Sequence, residues 1–190
     1  NYAAAYATWA QVLDNNVSGQ VWMPMSGIAA AKYAQTDAAF APWYAPAGFT
    51  RGLLDSINDV AIYPNQKQRD SIYDQTNTNP VAFFASEGYV IYGQKTLQTK
   101  PSAFDRINVR RLFIIMEKAI SRFARAQLFE FNDDFTRAQF VGAVEPFLRN
   151  VQGRDGITDF KVVCDGSNNT GDVVDRNEFV GVIYVKPNRS

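Results

Sequence analysis

"NVRRLFIIMEKAISRFAR", residues 108–125, gathers five basic side chains and one acidic one, in a chain whose nineteen basic and nineteen acidic residues cancel overall. From Arg106 to Phe129 there is no Gly or Pro, so the run reads as one long helix. With Glu117 at zero and steps of roughly 100° per residue, Arg110, Ser121, Arg125, Lys118, Arg111 and Arg122 share one arc between about 20° and 140°. Leu112, Phe113, Met116, Ile120, Phe123 and Ala124 fall outside it and suit a core, while Ile114 interrupts the polar side. The plainest reading is a solvated helix face. Two features argue for more. Exposed faces usually mix signs, and this one does not. Arg110 and Arg111 also stand in the first turn, where the helix dipole disfavours positive charge, so carboxylates are expected near them. That leaves Lys118, Arg122 and Arg125, with Glu117 at the margin, as the candidates for meeting an external acidic surface.

The rest of the chain sets limits on function. A length of 190 residues, 46% of them hydrophobic and 14% aromatic, supports one good core, or at most two small ones. No apolar run approaches the roughly 20 residues of a membrane span. With no histidine there is no Ser–His–Asp triad, no Cys–His pair and no HExxH zinc site. Cys164 is the single cysteine and has no internal disulfide partner; it stands in the run "FKVVC" and reads as a buried strand residue. The chain starts without Met, and we read residues 1–190 as a fragment of a longer protein.

Outward from the basic helix, residues 2–14, "YAAAYATWAQVLD", read as an Ala-rich helix stopped at Asn15 and Asn16. Pro24 and Ser26 open a second helix through "GIAAAKYAQ", and "APWYAPAGFTRG" (41–52) is a Pro- and Gly-punctuated loop. "LLDSINDVAIY" holds a strand, and "NQKQRDSIYDQ" is a short polar helix. "PVAFFA" and "YVIYG" around Ser86, Glu87 and Gly88 make a β-hairpin. Asp134 suits an N-cap for the helix "DFTRAQFVGAVEPFLRN", which Pro146 would kink. "ITDFKVVC" and "FVGVIYVK" are strands joined by a polar loop. The alternation predicts an α/β fold, a mixed sheet packed with helices in a single compact domain.

Few motifs suggest chemistry. "DGSNNTGDVVD" (165–175) has Thr170 where a calcium-binding EF-hand loop needs Gly, and Arg176 where it needs Glu. Adjacent Asp133 and Asp134 diverge along the chain and do not make a paired acid site. The glycines lack phosphate-loop spacing. Nucleic-acid binding suits the cationic helix but not the zero net charge, and Phe113 and Phe123 lie on the apolar side, where bases cannot stack on them. Carboxylate-only chemistry and carboxylate metal sites survive the lack of histidine, but nothing among these motifs singles out a catalytic residue, a cofactor, a metal, or a nucleic-acid or membrane partner.

Three blocks carry a resemblance. "VWMPMSGIAAAKYAQTDAAFAPWYAPAG" sets Pro24, Ser26, Gly27, Ala30, Tyr33, Ala34, Thr36 and Asp37, then Trp43, Ala45, Pro46 and Ala47, in a pattern that resembles contractile phage tail sheath proteins. "NPVAFFASEGYVIYGQKTL" resembles the same family's Asn-Pro block, with Gly93, Thr96 and Leu97 in place. "RINVRRLFIIMEKAI" resembles its Asn-Val-Arg-Arg-Leu helix, with Arg110 and Arg111. The blocks span residues 21–120 in the family's order, and the remainder resembles the family's C-terminal region, closest to T4-like myophages. Lys95 replaces the usual Arg before Thr-Leu, and Gly48 replaces a small residue after Ala-Pro-Ala.

The resemblance implies a structural subunit and not an enzyme. It implies rings stacked around an inner tail tube, contraction that drives the tube through the host envelope, and neighbours linked by exchanged strands at an open sheet edge. Residues 1–190 would be the inner, tube-proximal C-terminal domain, with outer domains absent. The implied partners are other sheath subunits, the tube protein, and baseplate and tail terminator proteins at the ends. The implied location is the virion tail, with host cytoplasm during assembly. A baseplate or other binding module sharing this domain is the alternative. Lys118, Arg122, Arg125 and Glu117 would face the tube. Ser26, Gly27, Asp37, Trp43, Pro46, Gly93, Thr96, Arg110 and Arg111 are the motif positions expected to serve structure, with Trp43 as a buried anchor.

Overall fold

A computed structural model describes residues 2–14 and 19–189. The chain divides into two compact units, Asn1–Arg111 with Arg189–Ser190, and Leu112–Asn188. In chain order the first contains β1 (Ala5–Tyr6), β2 (Trp9–Asp14), β3 (Gly19–Pro24), α1 (Met25–Ala39), α2 (Gly48–Arg51), β4 (Leu53–Leu54) and β5 (Asp59–Val60). It continues with α3 (Gln66–Gln75), β6 (Thr78–Asn79), β7 (Val81–Phe84), β8 (Gly88–Ile91) and a 3-10 turn at Ala103–Asp105. Helix α4 (Ile107–Arg125) begins there and runs into the second unit, which adds α5 (Asp134–Gly153), β9 (Ile157–Val163), α6 (Gly171–Asp175) and β10 (Val182–Pro187).

The expected α/β mixture is present, with strands spread over four small sheets: β3-β2-β5, β4-β8-β7, β1-β6 and β10-β9. β1 and β6 pair in parallel and the other ladders are antiparallel, so the pairing is mixed. Residues 2–14 are a correction: they form β1 and β2, not a helix. Ala10 is fully buried and pairs with both Met23 and Val60, while its neighbour Trp9 and the in-phase Leu13 are exposed. That is a period of two, and hydrogen bonding on both sides of a central strand outweighs the helix propensity of alanine. The stop expected at Asn15 and Asn16 lies outside the described residues. The N-cap before α5 is Asp133, not Asp134: its carboxylate accepts the Thr136 N–H at 2.8 Å, three residues on, as a capping side chain does.

The first core gathers Ala10, Met25, Ile28, Ala29, Leu54, Ile57, Val60, Val81 and Ile91. The β7–β8 hairpin turns at Gly88, whose φ of +90° is open to glycine and strained for other residues. In the second unit Phe140, Val144, Leu148 and Val151 recur at helical spacing along α5 and are buried, as is Ile157 at the start of β9. Pro146 sits inside α5, where its ring removes the hydrogen bond to the carbonyl of Gly142.

Candidate functional site

Glu117, Lys118, Ser121, Arg122 and Arg125 are exposed on α4, while Leu112 and Met116 are buried on its other side. Arg122 and Arg125 lie in the last turn, where the helix dipole favours positive charge. Among the described residues, none of Glu117, Lys118, Arg122 and Arg125 forms an ion pair. The result is an uncompensated cationic face about two turns long.

The first-turn arginines are held differently. Arg111 donates to both carboxylate oxygens of Asp37, at 2.5 and 2.6 Å, and lies over the Tyr33 ring at 4.7 Å. The carboxylate expected beside Arg111 is therefore Asp37, brought from α1. Arg110 stacks instead on Phe104 at 4.1 Å and on Tyr2 at 4.5 Å, so aromatic faces take the place of a carboxylate. Tyr33 also hydrogen-bonds Tyr6 hydroxyl to hydroxyl. Burial pushes both phenols above the ordinary value near 10, and for Tyr6 the facing Tyr33 adds to the rise. The folded chain thus holds these protons more tightly than the unfolded one. The associated stability is fully present below pH about 10 and is lost as pH rises beyond it. The unfolding midpoint should fall steeply in alkali, and Tyr33→Phe should flatten that fall; an unchanged alkaline slope in the variant would count against this linkage.

The remaining motif residues serve the first unit. Trp43 and Pro46 are buried, as is Thr96, whose hydroxyl donates to the Phe104 carbonyl at 2.8 Å. Ser26 and Gly27 are exposed on the first turn of α1. Gly93 has no room for a side chain: an added Cβ would meet Asn79 Oδ1 and Tyr73 Cε2, both at 2.9 Å. Asn79 lies outside the motif positions named above, although the Asn-Pro dipeptide that precedes β7 points to it. It is fully buried, donates to the carbonyls of Ala5 (3.0 Å) and Lys95 (2.8 Å), and accepts from the Lys95 N–H (2.6 Å). It joins the start of the chain to the segment after β8. Asn79→Ala should cost about 2–4 kcal/mol, because three bonds go and buried backbone groups lose their partner. Denaturant titration checks it, and an unchanged midpoint would show that water replaces the amide.

β9 and β10 form a second surface. Six residue pairs run from Val182↔Val163 to Pro187↔Ile157, with a register shift at Lys186/Pro187. Each strand has one strand neighbour among the described residues, so both outer edges lack a second strand, although on β9 the Gln152 side chain donates to the Thr158 carbonyl and the Phe160 N–H donates to Asp159. Asp159, Lys161, Tyr184 and Lys186 are exposed along one face, and Phe160 and Val185 are half-buried on the other. Among the described residues no group of three or more His, Cys, Asp or Glu gathers for a metal, and no helix is long and apolar enough to cross a membrane.

Residues 99–190 match the phage tail sheath C-terminal domain. The chain is 46% identical over 198 aligned residues to the tail sheath protein of Vibrio phage KVP40, covering all of this chain and 29% of that protein. It is 43% identical over 169 residues to the tail sheath protein of Enterobacteria phage T4, covering 89% of this chain and 26% of that one. The chain thus spans less than a third of these relatives' length. Its fold matches the helical sheath of the anti-feeding prophage in the contracted state, with a TM-score of 0.86 at 22% identity over 98% of this chain and 51% of that one.

Proposed function

Because the chain belongs to the phage tail sheath family, we propose that it is the inner, tube-proximal part of a contractile tail sheath subunit in the virion tail, assembled in the host cytoplasm. The observation that carries this is the similarity along the whole chain to tail sheath proteins. The subunit polymerises as rings around an inner tube and is not an enzyme: contraction draws on subunit contacts, and no bond is made or broken. Two surfaces give the reading physical content. The β9–β10 ribbon accepts strands from neighbouring subunits on its open edges, where backbone hydrogen bonds supply affinity. The face of Lys118, Arg122 and Arg125 meets an acidic tube. Exposed ion pairs contribute only about 0–1 kcal/mol each, which suits a surface that holds before contraction and lets go during it. Repetition over many subunits makes the sum large. Baseplate and terminator proteins close the two ends.

Electron microscopy of the full-length protein tests the proposal. Tubular polymers formed without added nucleotide are the expected result. A protein that stays monomeric across a wide concentration range would overturn it.

A further inference from the structure

Between α4 and α5 the chain does something a solvated connection has no need to do. Leu128 is 63% exposed, Phe129 fully exposed, Phe131 85% and Phe135 75%. Four large apolar side chains within eight residues make a protruding apolar tip, and patches of this kind mark contact surfaces. The tip is built, not frayed. Phe129 takes a φ of +71°, a conformation that bulky residues seldom adopt and that persists only where the surroundings impose it. Beneath it, Asn132 donates to the side chain of Asn169 at 3.0 Å and to the Glu178 carbonyl at 2.8 Å. Arg137 in turn holds Asn132 through its side-chain oxygen at 2.7 Å.

We infer that this tip docks on the β9–β10 ribbon of a second copy of the chain, with Phe129 against Tyr184 and Glu130 between Lys161 and Lys186. Charge and chemistry match on both sides. Tyr184 is 60% exposed and pairs across the ribbon with Lys161, two residues along from Lys186 on its own strand. Neither lysine, nor Glu130, forms an ion pair among the described residues. An aromatic flanked by an acid thus faces an aromatic flanked by two bases, with Asp159 across from Lys186 leaving the ribbon patch net positive by one. The contact joins two different patches and is therefore head to tail, which extends into rings or helices, whereas a tip-to-tip contact would end at a pair. The inference rests on the sheath reading above and assigns one neighbour contact within it.

The test uses the full-length protein and sedimentation. Glu130→Lys, and separately Lys161→Glu with Lys186→Glu, should each cut polymer yield about tenfold with circular dichroism unchanged. Combining all three changes should restore assembly, since the pair of charges is swapped and not lost. Mixing Phe129→Ser protein with Tyr184→Ser protein should give dimers that grow no further, because each mixed pair retains one good contact. Polymer yield unaffected by Phe129→Ser or Glu130→Lys, or no rescue in the combined variant, overturns the docking and leaves the sheath reading standing. A tip variant that fails while the ribbon variants assemble normally also overturns it and points to a tip-to-tip contact. A parent protein that never polymerises sinks both.

Discussion

Reversing Lys118, Arg122 and Arg125 to Glu together should abolish extended sheaths on the tube while leaving the subunit folded. The three side chains are exposed on one face of α4 and pair with no described residue, so no internal bond is lost when their sign changes. They stand at i, i+4 and i+7, within roughly 60° of one another, and present their charge together. Removing rim charges costs little, but setting like charges face to face costs several kcal/mol per interface. Repeated at every subunit, that exceeds what weak contacts recover. Arg122 and Arg125 also lie at the helix C-terminus, where Glu opposes the dipole, so a modest loss of helix stability of about 0.3–1 kcal/mol per residue is expected. Negative-stain counts of extended and contracted particles give the readout. Tube-free polymers should persist. Normal extended tails from the triple variant would mean that the face is merely solvated and that another surface grips the tube.

Trp43→Ala should destabilise the fold by about 3–5 kcal/mol, the range for removing a large buried aromatic. Trp43 is 8% exposed, and Ala41, Ala45 and Pro46 around it are buried too. The loop has little regular structure of its own between α1 and α2, and the prolines stiffen it, so it cannot collapse to fill the space. At a urea m-value of about 2 kcal/mol/M, the midpoint should fall by roughly 1.5–2.5 M. A midpoint equal to the parent's would show that the indole contributes nothing to the monomer, and would transfer its role to a subunit contact.

How legible these features were in the sequence depended on which force decided each one. Helix α4 was legible because its apolar and charged residues keep mostly separate arcs, but its end was not: the run read as helical to Phe129 leaves the helix after Arg125 and continues as turns. The β7–β8 hairpin was legible because a glycine stands where the turn needs φ > 0. β2 was misread because "YAAAYATWAQVLD" has the composition of a helix, and only pairing with distant β3 and β5 reveals that Ala10 points inward. The cationic face could be found from charge alone. Asn79 had only its place in the Asn-Pro dipeptide to mark it and the phenylalanine tip had nothing, since each reverses what its residue type usually does. One is a polar side chain with no exposure, the other a phenylalanine with full exposure. Such inversions are set by partners far along the chain or outside it.

The unpaired edges of β9 and β10 carry a risk as well as a use. If these edges take a neighbour's strand, as proposed, the same backbone groups can pair with other strands, which exposes an unassembled subunit to amyloid-like stacking. The ribbon carries the devices that counter this. Lys161 and Lys186 repel flat stacking of like ribbons, and Pro187 ends β10 with a residue that has no N–H to donate, at a point where the register has already slipped. These residues have the chemistry of gatekeepers, which disfavours stacking of free ribbons on one another.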